Sequence, residues 1–261
     1  MLPNRLQLQR LELKYLVNET TAAGVRGFVQ SFLEPDEYAA ANGGFSYPVH
    51  SLYLDSKDLR TYWDTINGSK NRFKLRIRYY DQHEASPVFF EIKRRMNEAI
   101  LKQRGGVRRG AVDSLLAGQM PEGRHLLSDH PRELAALERF SYLMLDLGAS
   151  PKSHVAYLRE AWVSTSDNSI RVTMDREVCC APEFSSRLSE GLQGEVKPFA
   201  EKVILELKFT GRFPNWFRDV VETFGLQRCS AAKYADGVTM LDPAQLACSA
   251  RVAGAMANSG P

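Results

Sequence analysis

Cysteine and histidine are scarce in this chain of 261 residues, which has four of the first and five of the second. Cys179, Cys180, Cys229 and Cys248 show no zinc-type spacing and are too few to staple a chain of this length. The vicinal pair Cys179-Cys180 reads as structural, because adjacent cysteines rarely bridge without strain. The histidines are scattered and form no His-x-x-x-His pair, which counts against a zinc hydrolase. No apolar run approaches the ~20 residues of a membrane-spanning helix. The first residues lack the basic-then-apolar layout of a signal peptide, so a reducing, cytoplasmic setting is expected. Gly105-Gly106 reads as a turn and not as a phosphate loop, since no Gly-Lys-Ser/Thr follows.

Positive charge is abundant but concentrated. The chain carries +3 overall. Between Lys70 and Arg109, twelve basic residues face four acidic ones (Asp81, Glu84, Glu91, Glu98), a local charge of +8, so the remainder carries −5. Such an asymmetry points to a polyanionic partner.

The charges alternate with bulky apolar groups. Arg72, Lys74, Arg76 and Arg78 are separated by Phe73, Leu75 and Ile77. A period of two describes a strand with one cationic and one apolar face. The pattern recurs at Arg10/Glu12/Lys14, Glu91/Lys93/Arg95, Lys102/Arg104, Arg171/Thr173/Asp175 and Glu206/Lys208. An ordinary sandwich would put these faces in solvent. Like charges so close repel, by roughly 4 kcal/mol per pair at 4 Å and an effective dielectric of 20. An anion in a charged barrel or deep groove would reverse that sign. Helices over Thr20–Phe32, Asp58–Ile66, Arg132–Asp146 and Asn215–Phe224 would cover the apolar faces. Trp63, Trp162 and Trp216 fit packing better than nucleotide stacking, and Asp55 fits a cap on the helix that follows it. The class expected is α+β: one domain over residues 1–242, with an Ala-, Ser- and Gly-rich flexible tail over residues 243–261.

Nine segments, in order, resemble the vacuolar transporter chaperone (VTC) domain, a branch of the triphosphate tunnel metalloenzymes with the CYTH-like fold. They are Arg10–Tyr15, Ser51–Asp55 with Tyr62, Arg72–Arg78, Phe89–Arg95, Lys102–Arg104, Tyr157–Arg159, Arg171–Asp175, Ile204–Phe209 and Lys233-Tyr234. The resemblance implies an antiparallel β-barrel tunnel with a charged lumen and helices packed outside. It implies that Lys14, Arg76, Arg78, Lys93 and Arg159 contact phosphate, with Arg72, Lys74, Lys102, Arg104 and Lys208 extending the lining. Lys93, Arg76, Arg78 and Lys233 would carry the catalytic contacts, Lys233 on the terminal or incoming phosphate. Glu206 would hold Mn²⁺ or Mg²⁺, helped by Glu12 and Glu91. Many relatives carry Ser before that last lysine, where this chain has Ala232, and Arg10 replaces one of the two acidic residues of the hydrolase branch. The activity implied is ATP-driven polyphosphate synthesis. The alternatives are hydrolysis of tripolyphosphate or a nucleoside triphosphate, and a non-catalytic polyphosphate-binding module. The ligands implied are ATP or another nucleoside triphosphate and inorganic polyphosphate, with a separate membrane partner left open. Nucleic acid is not expected, because the interleaved aromatics occupy the opposite strand face from the cations.

Overall fold

The computed structural model describes residues 10–41, 45–97, 99–165 and 169–248. Its strands are β1 (Arg10–Val17), β2 (Glu34–Pro35), β3 (Ser46–Asp55), β4 (Asn71–Tyr79), β5 (Val88–Met96), β6 (Ala99–Val107), β7 (Ser150–Val163), β8 (Ile170–Pro182) and β9 (Val203–Thr210). Eight of them run in the order β7-β3-β4-β5-β6-β1-β9-β8, and β8 pairs back onto β7. All these pairings are antiparallel, so the sheet closes into an eight-stranded barrel without free edges. Short β2 adds to the end of β7.

The outward face of each strand is the apolar one. Helix α5 (Pro131–Leu147) lies over β5 and β6, where Leu137, Phe140 and Met144 pack with Leu75, Ile77, Phe90 and Ile92. It begins at Pro131, with the His130 ring accepting from the Arg132 N–H, and stops at Gly148 with φ of 59°. Helices α1 (Glu19–Val29) and α6 (Asn215–Thr223) cover Tyr15, Val172, Met174, Leu205 and Leu207 with Val25, Val29, Phe217 and Val220. Each such side chain contributes about 1.5–3 kcal/mol on burial. Asn18 caps α1 by accepting from the Thr21 N–H at 2.8 Å. Gly105 and Gly106, expected to form a turn, lie inside β6. A Cβ on Gly105 would sit 2.9 Å from the Glu133 carbonyl oxygen, so glycine there admits the α5 backbone.

The helices α2 (Glu37–Ala41), α3 (Arg60–Ile66), α4 (Val112–Leu116), α7 (Lys233–Leu241) and α8 (Pro243–Cys248) complete the described chain. Asp55 takes its expected capping role. It accepts from the backbone N–H groups of Thr61 and Tyr62 at the start of α3, and also from the Tyr234 hydroxyl. Helix α7 enters one end of the barrel. Its Tyr234, Ala235 and Val238 pack on the inward residues Tyr53, Val155, Val178, Cys180 and Ile204. The approach is close enough that a Cβ on Gly237 would lie 2.3 Å from the Cys180 sulfur. The inward phase of β8 is reset for this contact by a bulge at Glu177, whose φ is 51°. Arg171, Thr173 and Asp175 face inward before it, and Val178 and Cys180 after it. The expected tail from residue 243 is corrected in part. Residues 243–248 form α8, because Leu246 finds an apolar seat and is 1% exposed. The remainder of that tail lies outside the described residues.

Candidate functional site

The barrel encloses a cavity of about 1170 Å³. Every cation expected from the sequence lines it: Lys14, Arg72, Lys74, Arg76, Arg78, Lys93, Lys102, Arg104, Arg159, Lys208 and Lys233. Strand register explains the convergence. Lys74, Lys93 and Lys102 are directly opposed across β4, β5 and β6, while Lys14 opposes Glu206 across β1 and β9. Lys233 arrives from the first turn of α7 and not from a strand.

Carboxylates are placed in two ways. Glu91 and Asp175 stand behind the cationic wall. Glu91 is fully buried and pairs with Arg76 Nη2 at 2.7 Å and Lys102 Nζ at 2.6 Å, with Arg78 and Arg104 at 3.9 Å. Asp175 holds Arg159 in a two-pronged contact of 2.7 and 2.8 Å and Lys233 at 2.7 Å. Burial would raise the Asp175 carboxyl, but Arg159 and Lys233 hold it at about 2. Such fixed forks are aimed before a ligand arrives. Glu91, expected to help bind a metal, differs from Glu12 and Glu206 in its place. It lies among four cations and is not part of the cavity wall.

Glu12 and Glu206 do reach the cavity. Lys14 Nζ lies between them, 3.2 Å from Glu12 and 3.3 Å from Glu206. Glu206 also meets Lys208 at 2.5 Å and Lys233 at 3.2 Å, and Glu12 meets Lys93 at 3.2 Å. Burial opposes ionisation of Glu206, but Lys208, Lys233, Lys14 and Arg159 hold it well below the usual carboxylate range. Two ionised carboxylates sharing one ammonium offer the all-oxygen donors that suit Mg²⁺ or Mn²⁺. The ammonium marks where positive charge is already favoured. Among the described residues no cluster of three or more His, Cys, Asp and Glu side chains has metal-site geometry, so further donors would have to come from ligand or water.

The cations differ in state. Burial, joined by Lys93, Lys14 and Arg72, lowers Lys74 to about 8 against the pull of Tyr53. Burial likewise lowers Lys102 and Lys208 to about 7 despite Glu91 and Glu206 respectively. Tyr53 is lowered to about 8 in spite of its burial, by Arg76, Lys74 and Arg78. Its hydroxyl accepts from Arg76 Nη1 at 3.2 Å, and that of Tyr157 from Arg78 Nη2 at 2.9 Å. Ala232 leaves α7 without a side-chain cap, and its N–H donates instead to Asp236 Oδ2 at 2.8 Å. Asp175, Tyr53 and Tyr157 were not singled out as site residues from sequence. Asp175 had a visible signal in the parity of Arg171-x-Thr-x-Asp. The tyrosines had none, since aromatics at alternate positions read equally well as core.

A closed antiparallel barrel with this inner wall defines a protein built around a cationic lumen. The chain belongs to the VTC domain family, whose model matches residues 9–242. Triphosphate and polyphosphate chemistry is the province of that family and of the tunnel fold it shares. Similar solved structures include a candidate adenylate cyclase of Bacillus halodurans, 13% identical with a TM-score of 0.46, covering 86% of this chain and 94% of that one. Another is a candidate adenylate cyclase of Vibrio parahaemolyticus, 11% identical with a TM-score of 0.43, covering 88% and 97%. No curated protein matches the chain in sequence.

Proposed function

We propose that this protein catalyses metal-dependent phosphoryl transfer on triphosphate or polyphosphate, and that its reaction is ATP-driven synthesis of polyphosphate inside the tunnel. The observation that carries the reading is the cationic wall closed around Glu12 and the buried Glu206. Phosphoryl transfer asks a protein chiefly for positioning and for stabilisation of charge on the transferring group. Arg76 and Arg159, fixed from behind by Glu91 and Asp175, would grip non-bridging oxygens as planar forks. Arg78, steadied by Tyr157, would do the same two residues along β4. Lys14, Lys93 and Lys233 would add point charges against the phosphate oxygens. Glu206 and Glu12 would hold Mn²⁺ or Mg²⁺, which would supply positive charge against the developing charge of the phosphate. The attacking oxygen would belong to the acceptor chain, so no protein nucleophile is needed. Enclosure of the site would favour that acceptor over water.

The test is incubation with ATP and Mn²⁺, with polymer resolved on a stained gel and free phosphate assayed in parallel, for the unaltered protein, Glu206→Ala and Arg76→Ala. Polymer that is lost in both variants supports the synthase. Free phosphate without polymer replaces it with a hydrolase. Neither product, with tripolyphosphate still bound in calorimetry, replaces it with a binding module.

A further inference from the structure

A second cavity, of about 610 Å³, shares no lining residue with the tunnel. Three segments build it: the loop from β4 to β5, the chain that follows β6, and the approach to α5. Val112, Leu115 and Leu126, from two of these segments, pack in the apolar cluster under α5, which places the cavity outside the barrel. The segments are fastened to one another by their own hydrogen bonds. Arg108 N–H donates to the His125 carbonyl at 2.9 Å. Arg109 reaches back to the β4–β5 loop, where Nε donates to the His83 carbonyl at 3.1 Å and Nη2 to the Asp81 carbonyl at 2.6 Å. His125 is 7% exposed. Its Nδ1 accepts from the Glu122 N–H at 3.0 Å, so the ring proton sits on Nε2. That Nε2 has no hydrogen-bond partner among the described residues, and the ring lines the cavity. A buried imidazole fixed at one nitrogen and holding an unmatched donor at the other calls for an acceptor.

The charges around it are unequal. Arg108, Arg109 and Arg124 line the cavity against the single carboxylate of Glu84, a balance of 3 − 1 = +2. The Arg108 side chain has no hydrogen bond or ion pair among the described residues, and Arg124 has an exposed pair with Glu122 at 3.1 Å. We propose that this cavity is a second ligand site, outside the tunnel, for a small phosphate monoester that also carries a hydroxyl or amino group. The guanidiniums and the His125 Nε2–H meet the phosphate dianion. Glu84 accepts from the hydroxyl or amino group. So does Ser114 Oγ, whose own proton goes to the Ala111 carbonyl at 3.0 Å. Ala85 and Leu127 give the carbon stem an apolar surface. The volume is that of a small-molecule site. A bare phosphate chain would set negative charge against Glu84, which separates this ligand class from the one the tunnel takes. The inference stands independently of the tunnel reading.

Calorimetric titration at low salt and about pH 7.5, where a phosphate monoester is mostly a dianion, tests this. The ligands are glycerol 3-phosphate, O-phosphoethanolamine, inorganic phosphate and sulfate. The proteins are the unaltered chain, the double variant Arg108→Ala with Arg124→Ala, Glu84→Gln, and Lys74→Met on the tunnel wall. The unaltered chain should bind both esters more tightly than phosphate or sulfate. The double variant should weaken the esters by about ten-fold or more, the scale of a lost charge-assisted contact, and Lys74→Met should leave them within about two-fold. The melting temperature of the double variant should not fall, because it breaks only one exposed ion pair. Glu84→Gln should weaken O-phosphoethanolamine most, because the ammonium loses its counter-charge, and should not weaken inorganic phosphate. Esters lost in Lys74→Met but kept in the double variant bind in the tunnel, and that result overturns the site. Sulfate bound as tightly as the esters overturns it as well, since a plain basic surface would then suffice. So does failure of the unaltered chain to bind either ester. Equal effects of Glu84→Gln on phosphate and on O-phosphoethanolamine overturn the assignment of the ligand class.

Discussion

Lys74 is the wall residue whose removal should make the protein more stable and less able to bind its ligand. It lies directly opposite Lys93, which lies directly opposite Lys102. Like charges facing across strands are destabilising. Lys93 is compensated by Glu12 and Lys102 by Glu91. Lys74 has no ion pair among the described residues and rests over the Tyr234 ring at 5.4 Å. Burial, with the neighbouring Lys93, Lys14 and Arg72, lowers it from 10.5 to about 8. At about 1.4 kcal/mol for each pH unit, a charged Lys74 then costs the free protein on the order of 3 kcal/mol. Lys74→Met keeps the length of the stem and removes the charge. It should stabilise the ligand-free protein by about 2–3 kcal/mol at pH 7, which in a chain of this size raises the melting temperature by roughly 4–10 °C. The pH dependence has a definite sign. The unfolded chain holds this proton up to about pH 10.5 and the folded one releases it near pH 8, so the unfolded state binds more protons between those values. Stability from this group therefore rises with pH across that window, and the variant should show a smaller slope, the remainder coming with the same sign from Lys102, Lys208 and Tyr53. Ligand binding runs the other way. A phosphate chain favours the charged lysine, so binding takes up protons and weakens as pH rises through about 8. Melting curves at pH 7 and pH 10, with and without tripolyphosphate, read both effects. A variant that melts lower than the parent at pH 7, or binds tripolyphosphate equally well, refutes the reasoning.

Glu91→Gln should cost about 3–5 kcal/mol, because it strips the negative charge from between Arg76 and Lys102 and leaves them buried together. Urea unfolding measures it, and tripolyphosphate should recover more stability in this variant than in the parent. Gly237→Ala should destabilise by about 1–3 kcal/mol through the clash with the Cys180 sulfur. Adding Cys180→Ala should recover part of that loss in the same unfolding assay, and failure to recover any would argue against the helix insertion. Asp175→Asn should free Arg159 and Lys233 and, in a tripolyphosphate titration, lower affinity by more than the extra positive charge would raise it, because the forks lose their aim.

The barrel was legible because its strands obey a period of two that is loud in this chain. Arg72 to Arg78 alternate with Phe73, Leu75 and Ile77, and the charged residues do face the cavity while the apolar ones meet α5. The wall cations were legible for the same reason. What parity could not separate was depth. Glu12, Glu91, Asp175 and Glu206 share the inward face, yet two reach the cavity and two stand behind it, and that difference depends on which cations the register brings opposite each. Parity also failed at Glu177, where one extra residue in β8 resets the phase and sends Val178 and Cys180 inward. Helix α7 was missed for a related reason. Its residues touch the inside of a barrel and not the outside of one, so Ala235, Gly237 and Val238 lack the large apolar side chains that mark a covering helix.

The insertion of α7 gives the two kinds of carboxylate a common logic. A tunnel built only from strands would offer cations at spacings fixed by the sheet. Lys233 comes from a helix, and it is held by Asp175 from behind and by Glu206 in front. Its position is thus set by the same two carboxylates that set Arg159 and Lys208. Moving α7 would break the Lys233 contacts to both and leave Glu206 with Lys14, Lys208 and Arg159. Tyr234, the next residue, is pinned to Asp55, which also caps α3. The start of α7 is therefore anchored at Glu206 on the cavity wall, at Asp175 behind it and at Asp55 at the end of β3, and the charge balance of the site and the seating of the helix are one problem with one solution.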